Sequence, residues 1–531
     1  MRTAPHQKDR RRLLQLGSVL LTFGLLTTLL SRGISLSFLP DPWQAGFAYE
    51  VDNAEMPTVI WLVLNTLATG VLIGVFFGKK HWDLRSPVGI ILGFAFLLRL
   101  VSCFGEPIHE SDFYRYLWDG RSAAAGVNPY QFEPGALLIH NGTVEEGEPL
   151  PANGVAWQVR EFSEAEKTEL EKLEQLRGND PVGYARVSHP TVPTVYPPAA
   201  QALFFVAASI FAGALPGLQL VLIGLDLCVI FLILDLLGRF RLPKVTAILY
   251  AWHPLVVKEF ANSAHYDVLA ILCGMLALWG ALRFRNGRGK AIWMGLWLGL
   301  GILAKYFILL LLPVLVLYLS EHRASFRQRI QEVLFNRHVW LTGFTTAAVV
   351  FLGFLPYATW NDVGWGRIFE GLQIYRDFWQ YNPGVFSGVE VALRSLGDSQ
   401  SFFHARTICL VLLAGAVLVI SFRPIRSKSE GAVRCFQILA ALFVLSQTAF
   451  PWYLCWALAF LPFRPRFSWA WLSLAWPWNY LDFQPDSVAS LEWNGFFILS
   501  SSIWLSFLGV WIAECVSCKF SLRPTGKSQM L

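Results

Sequence analysis

A chain of 531 residues that is 54% hydrophobic and only 15% charged, with a mean hydropathy of +0.46, is not a string of soluble domains, where about 25% charged residues is usual. The same composition excludes a secreted disulfide scaffold and a disordered chain. The net charge of +6 is small for this length, and no basic block forms a nucleic-acid patch, so no nucleic-acid partner is expected.

In chain order, Arg2, Lys8, Arg10, Arg11 and Arg12 precede an apolar stretch from Leu13 to about Leu30. This reads as an uncleaved first helix with its basic end in the cytoplasm. Asp41, Glu50, Asp52 and Glu55 then face out. The runs Thr58–Gly78 and Ser86–Phe104, each near the roughly 20 apolar residues that span a bilayer, carry the chain in to Lys79, Lys80 and Arg85 and out again. Residues 105–217 form a long, structured outer loop. Within it, Ser163 and Glu166 make a capping box that opens a helix through Leu176, with Gly178 as its stop.

Charge parity organises the remainder. Ala199–Leu215 and Leu218–Leu237 separate the outer loop from Arg239, Arg241 and Lys244. Two crossings would place that basic cluster outside. The shorter segment, opening with Tyr196-Pro197-Pro198, is therefore expected to lie along the interface as a juxtamembrane helix. Ala291–Leu319 is flanked by basic residues on both sides, which predicts two short helices meeting near Lys305 at the outer face. The same logic makes Phe450-Pro451-Trp452-Tyr453 an outer turn, and residues 359–404 form a second outer loop. The expected architecture is one all-α, polytopic membrane domain over residues 1–531, with about fourteen spans and both termini cytoplasmic. The 22 tryptophans suit interfacial belts. Cys103, Cys228, Cys273, Cys409 and Cys455 read as small buried hydrophobes. Cys515 and Cys518 form a CxxC without a second pair, and carry no redox or metal function in this reading.

Polar groups gather at the outer ends of the spans. His109-Glu110-Ser111-Asp112 leads into Arg115, Asp119 and Arg121, three carboxylates and two arginines within a dozen residues. A carboxylate can take a hydroxyl proton, and guanidinium groups suit phosphate. Lys258, Glu259, His265 and Asp267, then Lys305, then Trp452 and Tyr453, share the same face under this topology. Ionisable residues at a membrane edge are costly and default to functional candidates. Lys258 and Glu259 also make a plausible structural ion pair.

The stretch Asp112-Phe-Tyr-Arg-Tyr-Leu-Trp-Asp-Gly-Arg121, followed by Ala125-Gly-Val-Asn-Pro-Tyr130, resembles the first outer loop of GT-C glycosyltransferases. The likeness is to bacterial polyprenyl-phosphate-mannose-dependent mannosyltransferases and their glycosyltransferase-87 relatives. His189-Pro190, Pro193–Pro198, Trp252–Leu255, Lys258–Asp267, Leu300–Lys305 and Pro451-Trp452-Tyr453 continue it in order, from about Glu106 to Leu461. The resemblance implies a GT-C-like helical bundle in the cell (inner) membrane, with its active site facing the outside or periplasm. It implies an inverting hexosyltransferase, mannose-like, that moves sugar from a polyprenyl-phosphate-linked donor to a lipid or glycan acceptor. Asp112 maps onto the general base. The second acidic role stays open between Glu110 and Asp119, because Ser111 stands where many members have an acid. Donor phosphate and substrate contacts fall to Arg115, Arg121, Lys258, His265, Asp267, Lys305, Tyr196, Trp452 and Tyr453, with the two aromatics at 452 and 453 able to stack on a sugar. No His/Cys ligand pattern requires a metal, although Glu110, Asp112 and Asp119 could hold Mg²⁺ or Mn²⁺ weakly. The rival reading is a multi-pass transporter or flippase, whose ionisable residues usually lie at mid-span.

Overall fold

The computed structural model describes residues 5–37, 55–79, 82–84, 87–108, 110–143, 160–318, 326–382, 384–425, 427–483 and 493–521. The expected roles of Asp41, Glu50, Asp52, Lys80, Arg85 and His109 fall outside them, as does the Cys518 side chain. Among the described residues the chain is helical, with no strand and one isolated bridge between Tyr381 and Thr448. Hydrocarbon surroundings favour this outcome, because a backbone amide there must find its partner within its own helix.

Six helices are long and apolar enough to cross a membrane: His6–Arg32, Val59–Phe77, Leu215–Arg239, Arg337–Asp362, Ser401–Phe422 and Ile498–Ser517. Pro254–Asn262 and Asp267–Arg283, bent by 114° at a short break, make a seventh if taken as one span. The protein is thus a multi-pass helical membrane protein. Val88–Cys103, Pro198–Phe211, Tyr306–Leu317 and Pro451–Phe463 are shorter apolar helices, cut where prolines and polar residues interrupt the runs. Full-length spans therefore number six or seven among the described residues, against the about fourteen expected from charge alternation.

The helices that build the site are α1 (Pro5–Ser37), α2 (Glu55–Phe77), α3 (Val88–Cys103), α4 (Asp112–Ala124), α5 (Glu164–Asn179), α6 (Pro198–Phe211), α7 (Leu215–Arg239), α8 (Asp267–Arg283), α9 (Gly287–Ala304) and α10 (Gly364–Phe378). With 14 residues, α6 is about 21 Å long, too short for a hydrocarbon core of about 30 Å. It packs instead along α4. Gly120 permits the approach, since a Cβ there would collide with the Phe204 carbonyl. The capping box forms as expected: Ser163 Oγ accepts from the Glu166 amide while the Glu166 carboxylate accepts from the Ser163 amide. That helix runs past Gly178 to Asn179, so Gly178 is not its stop. Asp180 caps it and also starts the next short helix by accepting from the Gly183 amide.

One intramembrane pair was not anticipated. Arg99 on α3 meets Asp226 on α7 at 2.6 Å, both fully buried, with Tyr250 Oη donating to the same carboxylate and Arg99 donating to the Ala251 carbonyl. Breaking such a pair strands a charge in low dielectric, so it pins α3 and α7 against residues 248–251. Cys273, Cys409 and Cys455 are buried as expected, but Cys103 is only half-buried and Cys228 is exposed on the outer face of α7.

Candidate active site

Residues 245–268 are almost wholly buried and lie at the centre of the main apolar core. The segment is not a continuous helix. Lys258–Asn262 forms a π-turn, Ala264 adopts a left-handed backbone (φ 57°), and α8 begins at Asp267. Such wide turns re-aim side chains, and non-glycine residues at positive φ are held there by surrounding structure. Glu259, His265 and Asp267 converge as a result, all at zero exposure.

Against them stands the start of α4. Ser111 provides no side-chain cap. Glu110 substitutes, its Oε1 accepting from the amides of Ser111 (3.1 Å) and Asp112 (3.0 Å). A carboxylate at a helix N-terminus is favoured by the macrodipole. The other oxygen of Glu110 lies 3.3 Å from His265 Nε2, and His265 Nδ1 lies 2.9 Å from Glu259 Oε2. Both are ion-pair contacts, off the directions of good hydrogen bonds. Ligand atoms of Glu110, Asp112 and His265 lie within 4.8 Å of one another. This set would suit a divalent ion that tolerates imidazole, of the Zn²⁺ or Mn²⁺ type.

The third side is Lys305. α9 ends at Ala304, Lys305 itself is extended, and a 3-10 turn follows, so the predicted break at this lysine is present. Its Nζ lies 2.6 Å from Asp267 Oδ1, which also accepts from Trp456 Nε1 at 2.6 Å. Rings of Tyr266, Tyr453 and Trp456 surround the ammonium at 4.9–5.4 Å, close enough for cation–π attraction. Asp112 accepts from Tyr116 Oη at 3.4 Å. Burial first, then the Glu110 charge, push its carboxyl up to about 6, against the opposing pull of His265 and Lys305. The residue keeps some surface exposed, although protein surrounds its carboxylate.

Other expected residues sit elsewhere. Asp119, about 10 Å along the helix from Asp112, accepts from Arg115 Nε, Thr194 Oγ1 and Gln201 Nε2 at 2.6–2.9 Å. It knits α4 to α6, and it is Glu110 that stands beside Asp112. Arg115 is committed to Asp119 and the Val192 carbonyl, and Arg121 to Asp180 and the Gly213 carbonyl. Neither guanidinium joins the cluster. Lys258 lies behind it, 3.2 Å from Glu259 and 2.9 Å from Tyr480 Oη, so the anticipated ion pair exists. Tyr196 packs edge-on against Tyr116 and Tyr266 beside Asp112. Trp452 is only 5% exposed, with Phe450 stacked on it at 4.6 Å and His265 at 4.4 Å. Both neighbours are ring-to-ring stacks, which leaves Trp452 no face for a sugar and corrects that expectation. Tyr453 stacks on Trp456 at 4.1 Å and lies under Lys305.

Sequence reasoning missed Tyr480, Trp456 and Tyr375, and assigned no site role to Glu259. Glu259 lay inside a motif already singled out. Tyr375, on α10 in the 359–404 segment, bonds Tyr453 Oη at 2.9 Å and Thr448 Oγ1 at 3.1 Å; no local signal marked it. Compared with protein-family models, curated proteins and solved structures, the chain finds no match.

Proposed function

We propose that this protein is a membrane glycosyltransferase that moves a hexose of the mannose type from a polyprenyl-phosphate-linked donor to a lipid or glycan acceptor. The reading includes a GT-C-like bundle of about fourteen crossings, both termini in the cytoplasm, and a site at the outer face of the inner membrane. The observation that carries it is an ionisable carboxylate, Asp112, opposite a fixed ammonium, Lys305, within one small cluster. Asp112 takes the proton of an acceptor hydroxyl. The acceptor oxygen attacks the anomeric carbon, the bond to the phosphate oxygen breaks on the opposite side, and configuration inverts. Lys305 stabilises the negative charge gathering on the leaving phosphate. Glu110 and His265 hold the base in place from behind.

A base must be ionised to act. Turnover is therefore expected to fall as pH drops through about 6, the value toward which burial and Glu110 raise Asp112. A flat rate between pH 5 and 8, in stably folded protein, would remove Asp112 from this role.

The side of the membrane is tested by labelling in a cysteine-free background. Cysteine at Glu171, exposed on α5, should react with an impermeant maleimide on intact cells. Cysteine at Arg285, exposed between α8 and α9, should react only after lysis. The reverse pattern would invert the topology.

The transporter reading has one observation in its favour, the helix broken by 114° between Asn262 and Asp267 with charged groups at the break. It calls for no chemistry on the lipid-linked sugar.

A further inference from the structure

A short helix, Phe326–Phe335, stands between two membrane segments. At about 100° per residue, Phe326, Ile330, Val333 and Leu334 fall on one side of it. Phe326, Ile330 and Leu334 remain 61%, 38% and 53% exposed. Gln328 and Gln331 take the opposite side and Arg327 the border between the two, all three exposed. Arg329, fully buried, turns toward the protein. A helix with one edge in the protein, an open apolar stripe and a polar back is suited to lie in an interface.

Its two ends show which interface. Phe335 is followed by Asn336 and then Arg337, where the span Arg337–Asp362 begins. Trp340 Nε1, in the first turn of that span, donates to the Leu334 carbonyl at 3.0 Å and ties the two helices together. At the other end, the Phe326 ring lies 5.5 Å from the ring of Phe422, the last residue of the span Ser401–Phe422. The helix thus runs between the start of one span and the end of another. Its 10 residues cover about 15 Å, half of a hydrocarbon core, so it lies along the bilayer surface and not through it. Trp340 is itself exposed, as a tryptophan at headgroup level is. Phe344, one turn deeper, is exposed as well, so the span beside the helix also presents apolar surface outward.

Arg327, Arg337 and Arg423, all exposed, stand beside these junctions. Guanidinium groups suit phosphate oxygens. Charge parity assigns this face to the cytoplasm, where the leaflet carries anionic lipid.

We propose that Phe326–Phe335 is an interfacial anchor for anionic phospholipid. Phe326, Ile330 and Leu334 sit among the upper acyl carbons, and the three arginines meet headgroup phosphates. Sugar transfer plays no part in this assignment; a chain without that activity would hold lipid in the same way.

The test places the photo-crosslinker p-benzoylphenylalanine in the full-length chain at Ile330, and separately at Leu334 and at Gln331. Each protein is reconstituted in vesicles of equal parts phosphatidylcholine and phosphatidylglycerol and irradiated, and its adducts are identified by mass spectrometry. The Ile330 and Leu334 positions are expected to yield phospholipid adducts, and Gln331 far fewer. Phosphatidylglycerol should exceed phosphatidylcholine among them by roughly twofold or more, and molar salt, which screens exposed charge, should remove the excess. Exchanging Arg327, Arg337 and Arg423 for glutamine should abolish the excess at low salt while adducts still form. Adducts to protein at both apolar positions, or a lipid yield at Gln331 equal to theirs, would overturn the anchor. Equal yields of the two lipids at low salt would overturn the anionic preference. If the triple variant misfolds, the salt dependence with the arginines in place decides.

Discussion

Asp112→Asn is expected to lower turnover at least ~100-fold, the lower end of what a positioned general base contributes. The substitution keeps the size of the side chain and an oxygen to accept from Tyr116, now 3.4 Å away. It also removes an ionisation that burial and Glu110 oppose. The fold has no reason to suffer, so expression and melting temperature should match wild type while transfer collapses. The comparison with Asp119→Asn sharpens the claim. That residue anchors Arg115, Thr194 and Gln201 in a buried network, so its loss should appear first as instability. Full turnover in Asp112→Asn would dismiss it as the base.

Lys305→Met should cost transfer on the order of 2–4 kcal/mol, the scale of a preorganised group that meets developing charge. One complication is built into the structure. The lysine neutralises Asp267, which is fully buried and has one oxygen without a partner. Removing the cation alone leaves that carboxylate uncompensated and destabilises the protein. The double variant Lys305→Met, Asp267→Asn separates the two effects. It should recover the melting temperature but not the rate. Lys305→Arg should recover part of the rate only if the longer planar head reaches the phosphate. A double variant with normal rate would reduce Lys305 to a structural counter-ion.

Much of the cluster was legible because charge beside a bilayer is conspicuous. Glu110, Asp112, His265, Asp267 and Lys305 each stood at the edge of an apolar run, and the structure brings all five together. The break at Lys305 was legible for the same reason: basic residues on both flanks do not fit a single crossing. What failed depended on packing between distant elements. Arg115 and Asp119 looked like phosphate ligand and acid because their distant partners, the Val192 carbonyl for Arg115 and Thr194 and Gln201 for Asp119, lie far along the chain and meet them only when the segment leading into α6 docks on α4. Trp452 looked free to stack on a sugar until Phe450 and His265 were placed against it. Arg99 sat unremarked in a run that reads as pure hydrocarbon, although its partner Asp226 lay in another such run. Hydropathy averages over single charges, and only the fold shows that two of them cancel.

The most direct test of sugar transfer is made in detergent, where no gradient exists and transport has no meaning. Purified protein is incubated with an acceptor extract and a panel of radiolabelled polyprenyl-phosphate hexoses, and release of polyprenyl phosphate is measured. The account predicts release with at least one hexose, label appearing on the acceptor, and loss of both in Asp112→Asn. Stably folded wild-type protein that releases no lipid phosphate from any hexose donor would contradict it.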